Sequence, residues 1–440
     1  MRLKPGGLSA RFAVILSGEL IQSLFHFAVN VALVRELSAH DYGLFAIVFT
    51  VGGIGITYIR SMVAVPATLF LSRSLGRAAE LGHDATFGAA ATLVATGMGA
   101  LVAAFLVPEL GTGAAMGGLF IALYAFRSYL RIVLLARASS RIAGLSDIAY
   151  ALSGAVFGGI MLLGPGGGVT LLDHAFLALA SAHAVGIVVA YGALRQPVRL
   201  RFRPSLRRRY ASIWPTLVWS LVGITSTNIQ GQGLTLLFAL IAGPAAYAPI
   251  AATLVLFAPL RIPTNALTNM VLPEITTLLA ERKLDRARHL VIRSTVIIGL
   301  GCIVYGAGMW LCLPAIEHYL FKGRFLHEPM NLIGLGVWSV VTASLLYAIP
   351  RAFLEAAAAF RAIAYGAIVS AGLGFAVMIP ILMTTLPAYA LIGLLVSEMV
   401  TAVWCARAFA IRSLGAGLPA ASPMEAARVD VDPLPAGTRG

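Results

Sequence analysis

The chain has 440 residues, 59% of them hydrophobic and only 11% charged, with a mean hydropathy of +0.89. Soluble proteins carry about 25% charged residues, so this composition excludes a soluble globular domain and reads as a polytopic membrane protein. A net charge of +14 would suit a nucleic-acid partner, but the basic residues are spread by topology rather than gathered on one surface, which argues against one.

A spanning helix needs about 20 mostly apolar residues. Twelve such segments follow in order, near 12–34, 43–65, 85–107, 113–135, 145–164, 172–194, 212–241, 247–276, 290–313, 331–354, 363–385 and 388–410. The first follows a short basic start (Arg2, Lys4, Arg11), is too long for a signal-peptide core and has no A-x-A site after it, so it is expected to be retained. Within it, GELIQSLFHFAVN (18–30) sets Glu19, Gln22, His26 and Asn30 on one side of a helix. Lipid would reject such a face, and ionisable groups inside a span normally face protein or a water-filled cavity. The stripe is therefore expected either to border a cavity, with Glu19 as a candidate group for a coupling H+ or Na+, or to join helices by hydrogen bonds.

Arginines mark the later spans. Arg60 lies in the second, Arg127 and Arg131 in the fourth in line with Tyr124, Arg261 in the eighth and Arg351 at the inner end of the tenth. Arg261, Asn265 and Asn269 recur every four residues in a span loosened by Pro259 and Pro263. At 1.5 Å per residue most of these arginines lie roughly 20 to 30 Å from the outer ends. A guanidinium cannot escape burial by deprotonating, and its fork fits phosphate oxygens bidentately. The five arginines, from four helices, are read as converging on one cavity as a diphosphate site. Arg131 and Arg351 also suit snorkelling to the inner headgroups or pairing with an acid, as Arg351 with Glu355 one turn on.

If the N-terminus is cytoplasmic, the inner connections hold Arg73, Arg77, Arg137, Arg141, the run RQPVRLRFRPSLRRR (195–209), Arg282, Lys283, Arg286, Arg288 and Arg361. The outer ones hold only Arg35, Lys322 and Arg324. This is the positive-inside pattern and implies both termini inside. The 195–209 run also suits contact with anionic lipid headgroups. The three cysteines fall within spans and imply neither a disulfide framework nor a metal site. No P-loop, H-E-x-x-H or Asp-rich motif is present, GPGGGV (164–169) reads as a turn, and the longest outer connection, near 314–330, is too short for a catalytic domain. An enzyme is not expected. The stretch beyond Leu414 lacks apolar periodicity and reads as a disordered tail.

The chain also repeats itself. Tyr42 and Tyr247, Pro66 and Pro273, and Pro108 and Pro314 stand 205, 207 and 206 residues apart. YLRIVLLARASSR and AIPRAFLEAAAAFR echo one another, with Arg131 and Arg141 spaced as Arg351 and Arg361. The expectation is an all-α integral membrane protein of about 12 transmembrane helices in two six-helix lobes around a central cavity. Residues 1–194 form the first lobe, 195–210 a basic linker, 211–412 the second lobe and 413–440 the tail. An even number of spans per repeat keeps both lobes in the same orientation.

The stretch LVRELSAHDYGLFAIVFTV (33–51), with its R-x-L-S-x-x-D-Y-G turn, resembles the first outer turn of the polysaccharide exporters and O-antigen flippases of the multidrug/oligosaccharidyl-lipid/polysaccharide (MOP) superfamily. AGPAAYAPIA followed by VLPEITTLLAERK is similar to that superfamily's eighth helix and inner loop, although Ala246 stands where such relatives usually have Gly. The likeness in helix count and spacing extends to about residue 412. The resemblance implies a V-shaped transporter of the bacterial cytoplasmic (inner) membrane. It would flip an undecaprenyl-diphosphate-linked oligosaccharide (an O-antigen, exopolysaccharide or capsule unit) by alternating access, alongside a glycan polymerase and glycosyltransferases. No site residue is carried over by motif. Two other readings stay open: a multidrug antiporter of the same superfamily, which would favour acidic over basic cavity residues, and a scaffold for glycan-assembly enzymes.

Overall fold

The computed structural model describes residues 6–64, 66–67, 77–136, 139–163, 170–194, 211, 214, 217–218, 221–357 and 359–414. Among the described residues the chain is helical throughout, without a strand. The first part contains α1 (Gly6–Glu36), α2 (Ala39–Ile59), α3 (Arg77–Leu110), α4 (Ala114–Ala136), α5 (Ser140–Leu163) and α6 (Leu171–Leu194). Helical residues 221–233 lead into α7 (Leu234–Ala242). Then come α8 (Pro244–Leu256), α9 (Ala258–Ala280), α10 (Leu284–Ala315), α11 (Met330–Leu346), α12 (Ala348–Ala356), α13 (Phe360–Thr384) and α14 (Leu391–Ser413).

Eight helical stretches are long and apolar enough to cross a membrane, or nine when the bent pair α8 and α9 counts as one span. That is a coarser count than the twelve spans read from sequence. One of the eight, Phe87–Leu135, runs through both α3 and α4. Its 49 residues would reach about 74 Å if straight, more than twice the bilayer core, so it folds back on itself. The turn is made at Gly111 (φ +54°), and α3 and α4 then approach so closely that a Cβ on Gly99 would lie 2.5 Å from the Gly118 carbonyl oxygen. The basic linker, the Gly run at 164–169, most of 212–220 and the tail beyond residue 414 lie outside the described residues.

The helices before residue 195 pack chiefly on one another, as do those after 221, and α2 crosses α8 between the two sets. Ser38 caps α2, accepting the Asp41 N–H at 3.0 Å, and Asp41 sits where the helix dipole favours an acid. At the crossing a Cβ on Gly43 would lie 1.9 Å from the Pro244 carbonyl oxygen, so glycine is what permits the approach. Three local breaks shape the interior. Just ahead of Pro66, which has no N–H to return to the preceding turn, α2 ends in a π-turn, Arg60–Ala64. Between α8 and α9 the chain bends by 49° at Phe257, two residues before Pro259, and Tyr305 donates to the Leu256 carbonyl at 2.6 Å. Tyr347, three residues before Pro350, interrupts the helix between α11 and α12 with the same backbone angles, φ −92° and ψ 0° against −91° and −1° at Phe257, within a single span.

Candidate functional site

Inside the first half, Asp147 of α5 is the hub of a buried charge cluster. It accepts from Gln22 of α1, from Arg127 of α4 at 2.5 Å and from Arg131, one turn further along α4, at 3.1 Å. Arg127 and Asp147 are 4% and 2% exposed, too enclosed for either charge to stand without the other. The Arg127 guanidinium lies 4.2 Å over the Tyr150 ring, and His183 of α6 stacks on Tyr150 with centroids 4.4 Å apart. Arg127 Nε and both His183 ring nitrogens are buried without a hydrogen-bond partner among the described residues.

Between the halves runs a polar seam. Thr50 meets Tyr247 hydroxyl to hydroxyl at 3.5 Å, Asn228 donates to Thr57 at 2.7 Å and the Tyr58 hydroxyl donates to Thr225 at 2.9 Å. Gly53 faces the amide of Gln232. Arg60 follows Gly53 and Thr57 at helical spacing and so shares the face of α2 that looks across this seam. From the other side Arg261, one turn below the Phe257 bend, lies within Coulombic reach of Tyr247. Both Arg60 and Arg261 are exposed, and among the described residues neither makes a hydrogen bond or an ion pair. Pro263 also leaves the Pro259 carbonyl without its helical donor near Arg261.

In the second half, Glu398 of α14 is 7% exposed and, among the described residues, accepts from two neutral groups, Gln230 Nε2 at 3.1 Å and the Tyr347 hydroxyl at 2.9 Å. Gln230 sits on the π-turn Ile229–Gly233 and Tyr347 at the break before α12, so the carboxylate is held where two helices are irregular. Arg261 and Arg351 are within Coulombic reach of it. Arg351 itself donates to Glu355 at 3.0 Å and to Thr227 at 3.3 Å.

The five arginines are therefore sorted rather than gathered. Arg127 and Arg131 are held by Asp147, Arg351 is paired with Glu355, and Arg60 and Arg261 remain on the seam. Of the α1 stripe, Gln22, His26 and Asn30 bond within α1 and to neighbouring helices. Gln22 reaches Asp147, His26 lies 3.4 Å from the Tyr150 hydroxyl, and Asn30 is buried, accepting from Tyr42 at 3.2 Å and donating to the His26 carbonyl. These bonds fasten α1 to α5 and α2, because the buried acid and tyrosines of those helices supply the partners. Asn265 is exposed on α9 beside Arg261, and the side chains of Glu19 and Asn269 lie outside the described residues. Sequence reasoning passed over Asp147, His183, Gln230, Tyr347 and Glu398. Two of these are acids inside spans, which was signal enough.

No family model matches the chain, and no curated protein matches its sequence. Solved structures do. An inward-facing multidrug resistance MATE family transporter of the MOP superfamily superposes with a TM-score of 0.67 at 16% identity, over 90% of this chain and 95% of that one. The fold is that of the MOP-superfamily transporters. An outward-facing MATE transporter gives 0.59 at 15% identity over 92% and 94% of the two chains. A MOP superfamily transporter from Pyrococcus furiosus, reported for the reverse polarity of its binding pocket, gives 0.57 at 14% over 92% and 94%. At these identities the likeness establishes architecture, and with the apolar helices it makes the chain a multi-pass membrane protein.

Proposed function

We propose that the protein is an alternating-access flippase that moves an anionic lipid-linked glycan, carried on an undecaprenyl diphosphate, from the inner to the outer leaflet of a bacterial cytoplasmic membrane. The observation that carries this reading is the polarity of the seam. Among the described residues Arg60 and Arg261 make no ion pair there, whereas the acids Asp147 and Glu398 are sequestered at 2% and 7% exposure. A guanidinium fork not already held by a carboxylate fits the oxygens of a diphosphate bidentately. In this scheme residues 1–194 and 211–412 are the two moving lobes, the 195–210 linker and the tail stay inside, and Asn265 lines the same path. Glycosyltransferases supply the substrate and a polymerase consumes it. Glu398, with no cation in contact, is the acid best placed among the described residues to take up a coupling H+ or Na+.

The test is flipping of the lipid-linked glycan in proteoliposomes. Arg60→Ala and Arg261→Ala should each lower the rate about tenfold or more, with folded protein unchanged, since a hydrogen bond to a charged group contributes roughly 1.5 to 3 kcal/mol. Lys at either position should rescue in part, keeping the charge and losing the fork. Unaltered flipping in both Ala variants rules the site out. One observation favours multidrug export instead: among the described residues no arginine contacts Glu398, and a cationic drug would need such an acid. Gradient-driven export of a cationic dye, unaffected by Arg60→Ala and Arg261→Ala, would select that reading.

A further inference from the structure

The turn between α10 and α11 crosses from the second half to the end of α1, at the end of the molecule that the charge distribution assigns to the outside. Its anchoring is regular. Phe321 and Phe325 are buried with their rings edge to face at 5.6 Å, and the turn is stitched by Gly323 N–H to the Glu317 carbonyl at 2.9 Å and Glu328 N–H to the Phe325 carbonyl at 2.9 Å. The residues between the two phenylalanines do the opposite. Lys322 adopts φ +53° and Gly323 φ +67°, and a lysine in this left-handed region is uncommon and costs energy, so the surroundings must impose it. The result is that Lys322 and Arg324 both project toward α1.

There Lys322 pairs with Glu36 at 2.8 Å, and Arg324 donates to the Arg35 carbonyl at 2.9 Å. That carbonyl belongs to the last turn of α1, whose final carbonyls have no helical donors and whose end carries partial negative charge. One half thus supplies the C-terminal cap of a helix in the other, close to where Gly43 and Pro244 touch.

We propose that Lys322 and Arg324 form a latch on Glu36 and the α1 terminus that holds this end of the transporter shut and must release for the cleft to open there. The proposal rests on the alternating-access reading but not on the nature of the substrate. Its weakness suits the role. Lys322 and Glu36 are 49% and 43% exposed, and an exposed pair biases a two-state equilibrium by about five-fold at most, enough to favour closure without blocking the cycle. The hydrogen bond from Lys322 holds the Glu36 carboxyl below the usual carboxylate range against slight desolvation, and the charges of Lys322, Arg35 and Arg324 add to it. A depressed pKa means that the latch is fully formed above the usual carboxylate range and is lost as pH falls through the lowered value.

Spin labels at Ala39 and Ala245, on the full chain in lipid nanodiscs with the exposed Cys312 replaced by Ser, measure the gap by electron–electron distance. The parent protein should give one short distance. Lys322→Glu should add a longer-distance population several-fold above the parent's, Lys322→Gln a smaller one, and Glu36→Lys combined with Lys322→Glu should restore the parental distribution. Acidifying the parent from pH about 7 to below the usual carboxylate range, far enough to protonate Glu36, should open it in the same sense. A parental distribution in both Lys322 variants, or a double swap that stays open, overturns the latch. No glycan is present in this experiment, so its outcome is separate from that of the flipping assay.

Discussion

The two halves each bury an acid among arginines and resolve it in opposite ways. In the first half Asp147 is saturated: two guanidiniums and an amide converge on it, and the charges are locked into the packing of α1, α4 and α5. In the second half Glu398 receives only an amide and a phenol, Arg351 is drawn off by Glu355, and Arg261 is left facing the seam. A formal count of intramembrane arginines therefore says little about substrate. What matters is which of them already has an acid, since a paired guanidinium is structure and an unpaired one on an open face is available chemistry.

The comparison breaks first at Asp147. Asp147→Asn leaves Arg127 and Arg131 without compensation in an enclosed site, and breaking a buried pair typically costs about 3 to 5 kcal/mol. Thermal melting in detergent should show a large loss of stability, and Asp147→Leu combined with Arg127→Met should recover part of it by removing both charges. A melting curve for Asp147→Asn like that of the parent would mean that the cluster is not structural. Next in size is the crossing of α2 and α8. Gly43→Ala places a methyl against the Pro244 backbone and should cost about 1 to 3 kcal/mol, as overpacking does. Gly53→Ala, with 3.5 Å to its nearest neighbour, should melt as the parent does. The smallest effect belongs to Glu398. Because its donors are neutral, Glu398→Gln should change stability by about 1 kcal/mol or less, while flipping in proteoliposomes loses its dependence on an imposed ion gradient. Full retention of that dependence would remove Glu398 from coupling and return attention to Glu19.

Much of this architecture was legible before any coordinates. The apolar segments and the turn at 33–43 describe a helical membrane protein, and the two tyrosines of the repeat, Tyr42 and Tyr247, lie in helices that meet. That Arg60 and Arg261 make no ion pair among the described residues was not legible, because it depends on where the acids go. Asp147 is separated from Gln22 by 125 residues and Glu398 from Gln230 by 168, so no local pattern announces either contact. The α1 stripe shows the same limit. Helical spacing correctly sets Gln22, His26 and Asn30 on one face, but whether that face meets a cleft or a neighbouring helix is decided by Asp147, Tyr150 and Tyr42, which the stripe itself does not contain. The breaks at Phe257 and Tyr347 were half legible. Pro259 and Pro350 mark the places, but the Tyr305 bond at the first break and the seat that the second, through Tyr347, makes for Glu398 require the fold.

The central claim is that the seam selects anions, and the polarity of the transported substrate tests it most directly. The unmodified protein in proteoliposomes should be offered, in parallel, a fluorescent polyprenyl-diphosphate glycan and a cationic dye of similar size. Flipping of the diphosphate, abolished by Arg60→Ala combined with Arg261→Ala, with no movement of the dye, is the result this account predicts. Transport of the dye with the diphosphate left in its original leaflet would contradict it.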